Sequence, residues 1–354
     1  MRVGVDARHL AAGRGVAHYT SALLAALAAR YSRDEWVAFA PAGAPVPPGV
    51  ELVAYPMASR LLFGAAALGA RPRIDCMIGG PPIDILWAPA PAPFALSAAT
   101  PLVLTVHDLS FELRPQDFTP YERLWHRLAR PRALACRAAR ILAVSEATRS
   151  EVTEHWGIAP ERVELASPGV SAPGRGAPLD QPLPRPYLLA VGALEPRKAP
   201  DLLVRAFVDA RARGLEATLV FAGQGRLAAR LAAPGVSVLG RVSAAQLETL
   251  YADALALVNP SLLEGFGFTA LEALARGIPP VLSDLPVYGE TVGEAALRFP
   301  LGDQQALADA LLRIAADADL RERIVARGRA AVARLTWERC AERAHAAMEL
   351  AAAL

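Results

Sequence analysis

Short apolar runs alternate with longer stretches of helical period along this chain, and they do so twice. A strand buried on both faces of a parallel sheet needs such a run, and the crossover to the next strand needs the helical stretch between them. The alternation therefore predicts an α/β fold with two Rossmann-like, doubly wound domains. In the first half the runs predict strands at Val3–Asp6, Trp36–Ala40, Ile85–Ala88, Leu102–Val106 and Ile141–Val144, with helices at Val16–Tyr31, Pro120–Ala139 and Glu146–Trp156. In the second half they predict strands at Tyr187–Val191, Thr218–Ala222, Val236–Leu239, Ala256–Asn259, Pro280–Ser283 and Leu297–Phe299. Helices are expected there at Pro200–Arg213, Ala244–Tyr251, Phe268–Arg276 and Gln304–Ala316. Between the halves, Ser167 to Pro186 holds six prolines and three glycines in twenty residues, which reads as a linker. Ala318 to Leu354 is alanine-rich and helical in period and predicts two closing helices.

The chain has 354 residues, beyond the roughly 250–300 at which a single core stops growing, so two domains follow from length as well. With 53% hydrophobic residues, 20% charged residues and a net charge of +2, disorder and a dedicated nucleic-acid-binding role are both excluded. The three cysteines, Cys76, Cys136 and Cys340, lie far apart without metal-like spacing, which argues against a disulfide framework or structural zinc. The first residues lack the apolar core of a signal peptide, and the longest apolar run, Leu61 to Ala70, is ten residues, about half the ~20 needed to cross a bilayer. A cytoplasmic protein is expected.

Four segments carry candidate chemistry. Glu264-Gly-Phe-Gly-Phe-Thr-Ala-Leu-Glu272 follows a predicted strand and opens a helix. Such a turn exposes backbone N–H groups to an anion, lets a ligand approach the glycines, and offers two carboxylates to one pocket. Val191-Gly-Ala-Leu-Glu-Pro-Arg197-Lys198 likewise joins strand to helix and sets two cations at the helix entrance, suited to a diphosphate. Thr105-Val-His107-Asp108 ends a strongly apolar strand, where an imidazole can bind a sugar hydroxyl or carry a proton. Gly13-Arg-Gly15-Val-Ala-His18-Tyr19 follows the first strand but is no dinucleotide fingerprint, because His18 stands where the third glycine would be. Alone, each admits a plainer reading: a helix-dipole partner and a solvated face for the two glutamates, solvated surface for the Arg-Lys pair, and a structural strand-end residue for the histidine.

Taken in order, these segments resemble the retaining glycosyltransferases of family 4, which have the GT-B fold. The resemblance spans nearly the whole chain. It is carried by the E-x7-E element, the Val-Gly-Ala-Leu-Glu-Pro-Arg-Lys turn, the Thr-Val-His-Asp-Leu strand end and Ala143-Val-Ser-Glu-Ala-Thr. Gly240-Arg-Val-Ser243 with Leu247 and Tyr251, Ser167-Pro-Gly-Val170, and Pro286 to Gly293 also match. The resemblance implies an acceptor-binding domain over 1–170 joined by a final helix near 337–354, a linker at 171–186, and a donor-binding domain over 187–336. It implies transfer of a sugar from a nucleotide-diphosphate sugar to an acceptor hydroxyl with retention, by a front-face route without a protein nucleophile and with no metal or other cofactor.

Carried onto matching positions, Arg197 and Lys198 would neutralise the diphosphate, and Gly15 with the loop Gly265, Phe266, Gly267 and Phe268 would cradle phosphate and sugar. Glu264 would contact sugar hydroxyls, Glu272 the ribose, His107 the sugar near its reacting carbon, and Val242 the base. The Glu-Pro-Arg-Lys form resembles mannosyltransferases, which makes GDP-mannose the expected donor, with UDP-glucose as another. Departures fall at Ala17, His18 and Ala193, where members often carry Gly, Arg and Arg. The acceptor wall is expected around Arg60–Arg73 and Phe111–Tyr121.

The segment Arg123 to Arg140 carries six arginines, a face that could lie on an anionic membrane with help from Trp125 and Leu128. The plainer reading packs Leu124, Leu128, Ala135 and Ala138 on the sheet. Two rivals to the transferase are a non-catalytic sugar-nucleotide-binding protein of the same fold and a nucleotide-sugar epimerase.

Overall fold

A computed structural model of the chain describes residues 1–12, 15–55, 64–66 and 71–354. Gly13, Arg14 and much of the Arg60–Arg73 segment lie outside the described residues. The chain divides into two compact units, Met1–Gly169 with Thr336–Leu354, and Val170–Leu335.

The first unit is built on β1 (Arg2–Asp6), β2 (Glu35–Ala40), β3 (Val50–Ala54), β4 (Ile85–Ala88), β5 (Leu102–Val106), β6 (Arg140–Ala143) and β7 (Val163–Leu165). They form one parallel sheet in the order β3-β2-β1-β4-β5-β6-β7. The second unit holds β8 (Tyr187–Val191), β9 (Thr218–Ala222), β10 (Val236–Val238), β11 (Ala256–Asn259), β12 (Pro280–Ser283) and β13 (Leu297–Phe299), in the order β10-β9-β8-β11-β12-β13. In both sheets the winding reverses direction beside the unit's first strand, between β1 and β4 and between β8 and β11. Open α/β sheets bind ligands beyond the carboxyl ends of their strands at such reversals.

The central strands are wholly buried, as continuous apolar runs require: β4 and β5 have no residue in contact with solvent to any extent that matters. Thr105 is the polar exception on β5, and it accepts from Trp87 Nε1 at 3.0 Å and sits 3.4 Å from the Tyr19 hydroxyl. Sequence patterning missed β3 and β7, the two edges of the first sheet. β3 is only half-buried and β7 has three residues, so neither shows an unbroken apolar run. The helical stretch expected at Pro120–Ala139 runs as two helices, Pro120–Ala129 and Pro131–Arg137. Pro131 has no amide to continue the first, and Arg130 takes a left-handed φ of 47° at the break.

The expected linker has no helix or strand, yet it is not a free tether. Ala177 N donates to Ala245 O at 2.9 Å, Thr249 Oγ1 to Ala177 O at 2.7 Å, and Gln246 Nε2 to Asp180 Oδ1 at 3.1 Å, which lays the segment along the Ala244–Asp253 helix. The last helix, Trp337–Ala352, belongs to the first unit. It buries Cys340, Ala341, Ala344, Ala347, Met348 and Ala351, a stripe of small residues that lets it press closely on the Gly15–Arg30 helix and the sheet. His345 adds a polar anchor, 2.7 Å from Asp34, whose other oxygen accepts from the chain's own amino terminus at 2.6 Å.

On the Pro120–Ala129 helix, Leu124 is 51% exposed, while Trp125 packs against the core of the first unit. This corrects the plainer packing reading for Leu124 and leaves Trp125 half-buried between core and surface. Among the described residues no helix is long and apolar enough to cross a membrane.

Because the face of the final helix is packed on alanines, overfilling it should be costly. Ala344→Leu is expected to destabilise the first unit by about 1–3 kcal/mol, measured by urea unfolding.

Candidate active site

At the carboxyl end of β11 the chain leaves Asn259, turns through the glycine-rich loop and enters the Phe268–Ala275 helix. The Glu264 carboxylate is drawn back into this turn. Its Oε1 accepts from Asn259 Nδ2 at 3.1 Å and Ser261 Oγ at 2.8 Å, and it pairs with Lys198 Nζ. Asn259 also reaches Thr269 Oγ1 at 3.1 Å, so one amide ties the strand end, the carboxylate and the helix start. Burial works to raise the Glu264 pKa, but the charges of Lys198 and Arg197 and the hydrogen bonds from Lys198 and Ser261 outweigh it and hold the group below the ordinary carboxylate range.

Gly267 enters the helix at φ 86°, a conformation that favours glycine, and an added Cβ would lie 2.6 Å from the Tyr288 ring. Tyr288 is fully buried and feels the Glu264 charge; burial first, and then Glu264, pushes its phenol well above the ordinary range, yet among the described residues its hydroxyl completes no hydrogen bond of standard geometry. Phe266 and Phe268 meet edge to face at 4.9 Å, and Gly265, Phe266 and Gly267 are all buried.

The Arg-Lys turn is held against this loop by its backbone as well as its side chains. Leu262 N donates to Arg197 O at 2.8 Å. Glu195 is pinned by Arg226, through the backbone N at 3.1 Å and Nε at 2.6 Å. Ala199, directly after Lys198, takes a left-handed φ of 44°, which a non-glycine residue adopts at a cost of about 1–2 kcal/mol. Behind the turn, Gly223 lies so close that an added Cβ would sit 1.8 Å from Gly192 O. Arg197 is half-buried, and among the described residues its side chain makes no ion pair, unlike that of Lys198.

Eight residues after Glu264, Glu272 has a different setting: its Oε2 accepts from the buried Tyr251 hydroxyl at 3.1 Å. Burial raises its pKa, against the opposing pull of Tyr251 and Arg276. Val242 is half-buried in the turn that leads to the Ala244–Asp253 helix, whose start is closed by a Ser243–Gln246 capping box.

In the first unit, His107 follows β5. Its Nε2 donates to Pro89 O at 2.9 Å, which leaves Nδ1 of the neutral ring as an acceptor, and the ring stands edge-on to Tyr19 at 4.7 Å. Burial lowers its pKa. Thr148, from the Ala-Val-Ser-Glu-Ala-Thr segment, donates to His107 O at 3.1 Å, so two sequence motifs meet there. Gly15 is the exposed first residue of its helix. Sequence reasoning passed over His9, which feels the charge of Asp6 and His107; burial pushes its imidazole down to about 4, and its buried Nε2 has no hydrogen-bond partner among the described residues. It also missed Asn259, Ser261 and Tyr288 around Glu264. The signal available was a polar Asn-Pro-Ser closing an apolar strand. Among the described residues, no group of three or more His, Cys, Asp or Glu side chains could hold a metal ion.

The two parallel α/β units, one of them with a partly buried Lys–Glu pair at a strand-end glycine loop, match two described families in turn. The family described as "Glycosyl transferases group 1" matches residues 177–331, and "Glycosyltransferase Family 4" matches residues 13–172. The chain is 30% identical over 261 residues to the O-antigen chain mannosyltransferase B of Escherichia coli, covering 67% of each. It is 31% identical over 240 residues to a D-inositol 3-phosphate glycosyltransferase of Streptomyces bingchenggensis, covering 58% of this chain and 51% of that one. The matched stretches thus span between half and two-thirds of these relatives. Among solved structures, a sucrose-phosphate synthase from Thermosynechococcus elongatus superposes with a TM-score of 0.75 at 19% identity over 100% of both chains. The chain belongs to the family 4, group 1 glycosyltransferases, and its fold is GT-B.

His9 sets one pH dependence. Its unfolded form takes a proton below 6.5 and its folded form only near 4, so the first unit should lose up to roughly 3 kcal/mol of stability as pH falls through that window. Unfolding followed from pH 7 to 4.5 should show this loss, and His9→Phe should flatten it. Gly267→Ala, strained by φ and by Tyr288, should cost about 2 kcal/mol or more in thermal unfolding.

Proposed function

We propose that this glycosyltransferase moves a hexose, mannose from GDP-mannose first, to an acceptor hydroxyl with retention and without a metal. The observation that carries this reading is the Lys198–Glu264 pair with Arg197 beside it, where β8 and β11 end. Breaking a glycosidic bond to a diphosphate separates charge, leaving an oxocarbenium-like sugar and an anion. Cations already fixed in place stabilise that anion without reorganising during the reaction.

In the free protein Glu264 neutralises Lys198 and keeps the ammonium oriented. A bound diphosphate would share that ammonium and engage Arg197. Glu264, ionised and already holding three side chains in register, would orient a sugar hydroxyl rather than attack carbon. Gly265 to Phe268 and Gly15 would approach phosphate and sugar, Glu272 the ribose and Val242 the base. The neutral His107 would accept from a sugar hydroxyl at Nδ1. The mannosyltransferase relative supports mannose as the first sugar to test. If the chain meets an anionic membrane, the exposed Tyr121 and Leu124 with Arg123, Arg127, Arg130 and Arg132 form the contacting face.

Incubation with a panel of nucleotide sugars, read as nucleoside diphosphate release, tests the reading. Binding without release, with candidate acceptors present, would favour a non-catalytic protein, and a changed sugar on an intact nucleotide would favour an epimerase. Lys198→Ala should lower turnover about 10²–10³-fold with the chain still folded, checked by steady-state kinetics beside thermal unfolding. Near-normal turnover would remove Lys198 from its role.

A further inference from the structure

Glu272 and Arg276 stand four residues apart at the end of one helix, a spacing at which glutamate and arginine ordinarily pair. Here they do not. Arg276 sends Nε to Glu248 Oε2 at 2.7 Å and Nη2 to Glu248 Oε1 at 2.5 Å, a two-pronged pair buried to 10% and 17% side-chain exposure. Its remaining contact with Glu272 is through the backbone, Nη1 to the carbonyl oxygen at 2.9 Å. The guanidinium lies over the Tyr251 ring, 5.0 Å from its centre, and Tyr251 donates to Glu272 Oε2. Glu248 and Tyr251 are three residues apart on the facing Ala244–Asp253 helix, so four side chains from two helices close a ring. Within the ring, among the described residues, Glu272 Oε1 receives no hydrogen bond. Gly174 packs against Glu248 from the far side, where an added Cβ would lie 3.4 Å from the carboxylate and a cavity of 360 Å³ opens between Gly174, Thr249 and Arg276.

We propose that Glu248 and Tyr251 are positioning residues for the donor nucleotide: Glu248 withholds Arg276 from the Glu272 carboxylate, and Tyr251 orients that carboxylate so that Oε1 faces the ribose. The proposal rests on the reading of Glu272 as a ribose contact. Its physical content is a competition. A bidentate guanidinium–carboxylate pair is the strongest ion pair the local groups can form, and whichever glutamate wins it is lost to a ligand. With Glu248 as winner, Glu272 keeps one oxygen that no hydrogen bond among the described residues occupies. Without Glu248, the released guanidinium needs only a side-chain rotation to capture Glu272.

The test compares GDP with inorganic pyrophosphate, which has no ribose, by calorimetric titration of the full chain. UDP replaces GDP if the donor panel selects it. Glu248→Gln and Tyr251→Phe should each weaken GDP by roughly tenfold, the scale of one hydrogen bond to a charged group, and leave pyrophosphate unchanged. Adding Arg276→Gln to Glu248→Gln should recover most of the loss, because the competitor is gone. Equal weakening of both ligands, or no recovery in the double variant, would show that Glu248 supports the pocket only as structure and would overturn the proposal. Glu272→Ala separates the two levels. If it binds GDP like the parent chain, the ribose reading fails. If it loses GDP while Glu248→Gln and Tyr251→Phe do not, the ribose reading stands and the positioning proposal fails.

Discussion

The second unit is organised around a partly buried ion pair. Lys198 arrives from the turn after β8 and Glu264 from the turn after β11, and these two strands are neighbours at the point where the sheet reverses its winding. Burying two charges is expensive, and their attraction offsets that cost only when geometry and further hydrogen bonds are good. Asn259 and Ser261 supply those bonds, and the Ser283 hydroxyl, donating to Ser261 O at 2.5 Å, ties the arrangement to β12. A fold selected for stability alone gains little from this, whereas a site that must meet an anion gains a cation already in place.

The surrounding backbone departs from its relaxed form where the pair demands it. Ala199 takes strained left-handed geometry beside Lys198, while Gly267 takes it without strain, as glycine can, beside the Tyr288 ring that flanks Glu264. Strain of this kind persists only when its neighbours over-determine it. The dense packing of Gly223 on Gly192, the Glu195–Arg226 pair and the Leu262–Arg197 backbone bond provide that.

Much of the fold was legible because parallel strands buried on both faces must be apolar throughout. Ile85–Ala88, Leu102–Val106, Tyr187–Val191 and Thr218–Ala222 were bounded from sequence as the structure has them. Val50–Ala54 and Val163–Leu165 were not, since an edge strand half-open to solvent carries no such signature. The motif residues Arg197, Lys198, Glu264 and Glu272 could be singled out, but not which of them touch. Pairing of Lys198 with Glu264, and of Arg276 with Glu248 rather than with its own helix neighbour Glu272, depends on side-chain directions across 66 and 28 residues of sequence. His9 was invisible for the same reason: one histidine after a strand says nothing about the burial that suppresses its charge.

The central claim is that Lys198 and Glu264 form an anion-ready site for the diphosphate of a sugar nucleotide. A thermodynamic cycle between ligand and side chain measures this directly. Guanosine and GDP are titrated into the parent chain and into Lys198→Ala, and the affinity difference between the two ligands is compared. The account predicts that the diphosphate's contribution to binding shrinks by at least tenfold in the variant while guanosine binds both proteins alike. An undiminished preference for GDP over guanosine in Lys198→Ala would contradict it.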